Sequence, residues 1–272
     1  MTDSPSVIGA QPRCPLLTGY YAGLIVLLYL PLAVLFLFSF NAGTSLSFPL
    51  QGLTLQWYER LFASPEVLRA ARNSLIVAAG SSCGASALGT AVALLLMRFR
   101  FRGEQLLFAL AMLPLVVPVI VLAVALLVLF LAAGIDRSLW TVVIGHTVVA
   151  LPFVVLIVSA RLAGFDPNLE EAAMDLGAPY WRVIIRIVLP LIAPSVVSAW
   201  LVAFTVSLDE FALALFLAGT EPTFPVYLFS QLRFASRLPV MIALAVLMMM
   251  GTLLLVLIAE WIRRQGQAGT VR

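Results

Sequence analysis

Residues 164–190 read GFDPNLEEAAMDLGAPYWRVIIRIVLP, a charged island in an otherwise oily chain. The island holds too many charges to sit in lipid and is too regularly patterned to be a slack loop. Asp166 suits a helix N-cap, because its side-chain oxygen can accept from an amide that the first turn leaves free, and Pro167 suits the first helical position, where no amide proton is needed. Leu169, Ala172, Ala173 and Leu176 then recur on one face at helical spacing, and Gly177 supplies the left-handed residue that closes a helix. After a turn at Ala178 and Pro179, a second amphipathic segment from Tyr180 sets Trp181, Ile184, Ile185 and Val188 on one side, with Arg182 and Arg186 on another. Pro190 opens a new apolar run. The predicted unit is helix, turn, helix, membrane.

Composition says what surrounds it. The 272 residues are 62% hydrophobic and 11% charged, with a mean hydropathy of +1.09, which excludes a soluble domain of ordinary make-up. The formal charge is +3, and every basic side chain is arginine; lysine is absent. Without lysine there is no Walker A phosphate loop and no lysine Schiff base, so the chain cannot drive a process from ATP by itself. Cys14 and Cys83 stand far apart, one before the first span and one inside an apolar run, and are expected to be free thiols.

Outward from the island the chain divides into six apolar spans. The first covers 16–40, too long for a signal-peptide core, and follows a short polar tail over 1–15. Residues 41–72 are mixed. Trp57 with Leu61 and Tyr58 with Phe62 pair four apart, as in a helix at the lipid boundary, and Ser64-Pro65-Glu66 carries the cap, first-position proline and acid of another helix start. The second span, 74–97, is rich in small residues, among them Gly80, Gly84 and Gly89, and is expected to be buried in the bundle. The third, 106–132, contains Pro114 and Pro118 and is predicted to be a broken helix. The fourth, 139–162, holds the single histidine, His146, read as a helix-to-helix hydrogen bond before a proton carrier or metal ligand, since no second ligand stands at metal spacing. The fifth starts at Pro190 and stays apolar past Asp209-Glu210 to Ala218; the sixth covers 239–262 and leads into a short tail, 263–272.

Six spans place both termini on one side. Arg13, Arg98, Arg100, Arg102, Arg161, Arg182, Arg186, Arg263, Arg264 and Arg272 share that side with the island, against Arg60, Arg69, Arg72, Arg137, Arg233 and Arg237 opposite. The positive-inside rule makes the termini and the island cytoplasmic. No GxSxG surrounds a serine, no glycine-rich nucleotide loop is present, and no catalytic, cofactor, metal or nucleic-acid site is expected.

Glu171-Ala172-Ala173, three residues, Gly177, nine residues, then Ile187-Val188-Leu189-Pro190 resembles, at each defining position, the EAA loop of type I importer permeases of the ABC transporter superfamily. The resemblance implies an all-α polytopic membrane protein whose six-helix permease domain, 16–262, carries a cytoplasmic coupling helix between spans four and five. In that family the loop docks in a groove of an ATPase, here through Ala172, Ala173, Leu176 and Gly177, with Glu170, Glu171 and Asp175 as salt-bridge partners. An amphipathic helix lying on the membrane surface is the alternative. The implied partners are two cytoplasmic ABC ATPase subunits, a second permease chain and an outer solute-binding protein, in the bacterial inner membrane. A solitary ion channel or secondary carrier has no evident use for the island, and an inverted repeat, which a carrier would favour, is not evident; a structural anchor for an enzyme complex is a further rival. Trp57-Tyr58, RFRFRG at 98–103, LPFVV at 151–155, RLAGFD at 161–166 and FTVSLDEF at 204–211 make the chain similar over nearly its whole length to the second permease subunit of spermidine/putrescine importers. That subfamily pattern also covers carriers of other organic cations and amino-acid derivatives, and the polyamine systems imply a distinct second permease.

Asp209 and Glu210 keep two readings. Adjacent carboxylates inside a span avoid lipid, so they either face the transport path and select a cation or mark the helix exit as solvated charges. Counted from Pro190, Asp209 falls near the far edge of the hydrocarbon, at an outer mouth, with the stretch to Ala218 folding back over it. The similar polyamine permeases also carry paired acids here.

Overall fold

The fold is that of a computed structural model, and its description covers residues 15–44, 47–166 and 168–268. The expected N-terminal tail, except for Pro15, lies outside the described residues, as do Cys14 and Pro167. Helices follow one another without a sheet: α1 (Pro15–Phe38), α2 (Gln56–Phe62), α3 (Pro65–Arg98), α4 (Glu104–Val116), α5 (Val119–Ala132), α6 (Leu139–Ala163), α7 (Asn168–Asp175), α8 (Tyr180–Val183), a π-helical turn (Ile184–Val188), α9 (Leu189–Asp209), α10 (Ala212–Leu217), α11 (Phe224–Gln231) and α12 (Leu238–Ala268).

The starts obey their local chemistry. Ser64 caps α3 by accepting from the Val67 amide, with Pro65 at the first position and Glu66 in the first turn. Ser138 and Thr141 form a reciprocal capping box on α6. On α2, Trp57 and Leu61 are buried and the Trp57 indole N–H donates to the Asn41 carbonyl, 2.7 Å away, so the boundary helix is pinned to the end of α1.

Among the described residues, five helical segments are long and apolar enough to cross a bilayer: α1, α3, α6, the run Tyr180–Asp209 and α12. α4 and α5 meet at a bend of 112° and together make the sixth. That they form one broken span follows from their ends. α4 starts just after Arg98, whose side chain meets Glu170 of the island; the loop after α5 lies against the far end, where an added Cβ on Gly219 would sit 2.7 Å from the Arg137 carbonyl. The break falls at Val117, held extended (ψ 129°) by the proline that follows it, while Pro114 is accommodated near the end of α4.

The small residues of α3 set how closely α6 approaches. A Cβ on Gly89 would stand 2.7 Å from Val154 and one on Gly84 3.0 Å from the Thr147 hydroxyl, so larger side chains would push the two helices apart. Beneath the island, Leu162 of α6, Val183 of α8, and Val188, Ile192 and Ala199 on the run into α9 form one buried cluster, against which Leu94 of α3 and Ala173 of α7 pack. A second cluster joins α5, α6 and α10 at the far end through Ala123, Phe130, Val142, Leu213 and Leu217. α1 stands apart, with Tyr20, Leu27 and Tyr29 all exposed.

One expectation changes. The segment from Tyr180 does not end before the membrane: helix is continuous from Tyr180 to Asp209, and the π-helical turn immediately before Pro190 adjusts the ladder where proline removes a donor. α9 stops at Asp209, and a separate short helix, α10, follows it.

Candidate functional site

The island is a short helix standing on a packed base. Asp166 Oδ1 accepts from the Asn168 amide at 3.0 Å and starts α7 as its sequence requires. Gly177 ends it with φ +85°, and the Gly177 and Ala178 amides return to the carbonyls of Met174 and Ala173. Ala173 packs on the buried cluster below, whereas Leu169, Ala172, Met174 and Leu176 face outward; Leu176 is 90% exposed. Glu171 and Asp175 are exposed beside them. An apolar tip ringed by carboxylates is what a cleft with basic walls would take.

Glu170 is different. Its carboxylate accepts from Arg98 Nε at 2.8 Å, with the two side chains only 8% and 15% exposed, and Arg98 lies over the Phe165 ring at 5.5 Å. The acid expected to meet a partner is consumed inside the chain, because helical geometry turns it about 100° from Glu171 and toward the end of α3. Phe99 adds an edge-to-face contact with Tyr180, 5.5 Å between ring centroids, so the first two residues of the RFRFRG segment hold both halves of the island. Nothing local in the sequence announces this pairing.

The second acidic pair lies at the α9–α10 break. Ser207, two residues earlier, accepts from the Ser81 hydroxyl of α3 at 2.9 Å and stands 2.8 Å from His146 Nδ1 of α6. His146 thus makes the helix-to-helix bond expected of it, and three spans meet at one polar node. That node fixes the depth of Asp209. His146 is roughly 10 Å along α6 from its far-end start. Asp209, two residues past Ser207, thus lies toward the far end of the bundle. Asp209 is exposed at the protein surface. Glu210 is half-buried and its Oε1 accepts from the Leu213 amide at 3.0 Å, capping α10.

Between α3 and α9, on the island side of the node, lies a groove of about 540 Å³ lined by Ser86, Thr90, Leu189, Ala193 and Val197. The Ser86 and Thr90 hydroxyls are buried without a partner. Cys83 is a free, exposed thiol, and it accepts from the Trp200 indole at 3.3 Å. No group of three or more His, Cys, Asp or Glu able to hold a metal occurs among the described residues.

Over 258 residues the chain is 34% identical to the spermidine/putrescine transport system permease protein PotC of Escherichia coli (strain K12), covering 93% of this chain and 97% of that protein. Over 253 residues it is 34% identical to the putrescine transport system permease protein PotI of the same organism, covering 90% and 89%. In fold it matches a chain of a bacterial alginate ABC transporter, crystallised with an alginate pentasaccharide-bound periplasmic protein, at a TM-score of 0.72 with 19% identity, covering 92% and 93%. The profile described as binding-protein-dependent transport system inner membrane component matches residues 85–265, a region that includes α7, His146, Ser207 and both acidic pairs. On that match and that kinship the chain belongs to the binding-protein-dependent transport system inner membrane components.

Proposed function

We propose that this permease forms half of the membrane path of an importer for a small organic cation of the polyamine class, driven by ATPase subunits that dock on α7. The observation that carries the docking is the outward apolar tip of α7, Leu169, Met174 and Leu176, beside exposed Glu171 and Asp175 and anchored on a buried base. A free surface helix could present such a face, but it would have no reason to be bolted to α3 through a buried ion pair. With no lysine for a phosphate loop, ATP chemistry falls to two cytoplasmic partner chains, and the island and termini are cytoplasmic by their arginine excess. A distinct second permease completes the path, and an outer solute-binding protein delivers the cargo at the opposite face, in the inner membrane of a bacterium.

Kinship to permeases named for spermidine and putrescine supports the cargo class. So does Asp209, an exposed carboxylate at the end of an apolar run. A charge there costs roughly 2.5–3.5 kcal/mol against hydrocarbon, so it belongs beside water or a partner, where it attracts amines and repels anions. The docking test is Glu171→Arg. The variant is expected to insert normally and lose its ATPase on co-purification; full retention of the ATPase with wild-type spermidine uptake removes the docking assignment.

A further inference from the structure

α3 runs unbroken from Pro65 to Arg98 with no proline beyond its first position, roughly 50 Å of stiff helix. Two of its neighbours are interrupted, α4 from α5 by a 112° bend and α9 from α10 by the turn at Glu210, while α6 runs unbroken beside it. α3 is also tied by side chains at three depths. At the island end Arg98 holds Glu170 of α7 and Phe99 meets Tyr180 of α8. In the middle Ser81 donates to Ser207, next to the break that bears Asp209. At the far end Asn73 Nδ2 donates to Glu221 Oε2 and to the Pro222 carbonyl, both at 3.1 Å, and Ser74 Oγ accepts from the Phe224 amide at 2.8 Å.

We propose that α3 is a connecting rod, and that Arg98 and Glu170 are positioning residues that clamp the coupling helix to it. A buried, charge-assisted bond at 2.8 Å resists stretching and is little screened by salt, so a displacement of α7 moves the foot of α3 with it. The rod delivers that displacement to the polar node and to the loop at Glu221, and carries displacement of that loop back to α7. Arg98 Nη2 is buried without an acceptor, so nothing beyond Glu170 neutralises this guanidinium in the structure. The clamp does not touch the partner. It determines whether a docked partner is felt across the membrane. This rests on α7 being the ATPase dock, and the experiment separates the two.

The test uses the complete transporter in vesicles, with its ATPase, second permease and solute-binding protein. Two readouts are taken: ATPase retained on co-purification, and stimulation of ATP hydrolysis by spermidine-loaded binding protein added on the outer side. The double variant Arg98→Met with Glu170→Met removes the clamp without orphaning a buried charge and keeps the volume of both side chains. It is expected to retain the ATPase while stimulation falls roughly tenfold. The exchange Arg98→Glu with Glu170→Arg is expected to restore most of it. Wild-type stimulation in the double Met variant overturns the clamp, as does an exchange variant no better than the double Met variant. A wild-type complex showing no stimulation overturns the rod, there being no signal for it to carry. Failure of the wild-type chain to retain any ATPase instead overturns the docking assignment.

Discussion

The island and the α9–α10 break each carry two adjacent acids, and in both places one acid is used up inside the chain while its neighbour is left out. At the island Glu170 is gripped by Arg98 and Glu171 is exposed. At the break Glu210 caps α10 through the Leu213 amide and Asp209 is exposed. The order differs, the first acid being internal at the island and the second at the break, but the logic is shared. Successive residues of a helix point about 100° apart, so one of a pair can anchor the local backbone or a neighbouring helix and thereby fix the direction of the other. A doubled acid in this chain is an anchor and a pointer.

The contrast can be broken most forcefully at the buried anchor. Glu170→Ala leaves the Arg98 guanidinium buried without its carboxylate and is expected to destabilise the chain by about 3–5 kcal/mol, read as a lowered unfolding midpoint in detergent. A midpoint equal to wild type would mean that the pair is solvated and that Glu170 is no anchor. At the break the pointer should dominate function. Asp209→Asn is expected to reduce spermidine uptake by about tenfold, or about 1.4 kcal/mol, with unchanged membrane abundance. Uptake at the wild-type rate across substrate concentrations would leave Asp209 as a marker of the helix end. The smallest effect belongs to Glu210→Gln, which keeps an acceptor for the Leu213 amide. A loss of under about 1 kcal/mol in stability and uptake within about twofold of wild type are expected, and a drop exceeding that of Asp209→Asn would exchange the two roles.

Much of this was legible in the chain. Asp166, Gly177 and the apolar period between them give α7 its start, end and faces, since capping and left-handed closure are local chemistry. Gly80, Gly84 and Gly89 announced a close neighbour, and Pro118 a break, because a missing side chain or a missing amide acts on adjacent backbone wherever the helix goes. What could not be read depended on partners distant in sequence. Arg98 and Glu170 are 72 residues apart, and Ser81 and Ser207 are 126 apart. Pro190 was taken as a boundary because proline usually is one, whereas the π-helical turn before it lets the helix continue.

α3 also has a length, and a bilayer has a thickness. Its stretch without charges, 73–97, measures roughly 38 Å at 1.5 Å per residue, against a hydrocarbon layer about 30 Å deep. The surplus is absorbed by leaning the helix or by thickening the lipid around it, each at a fraction of a kcal/mol per Å. Because both ends of α3 are fastened, to Glu170 at one face and to Glu221 at the other, a change of lean shifts both fastenings together. Acyl-chain length, a property of the lipid alone, thereby becomes a variable in the geometry of the two faces at which this permease meets water.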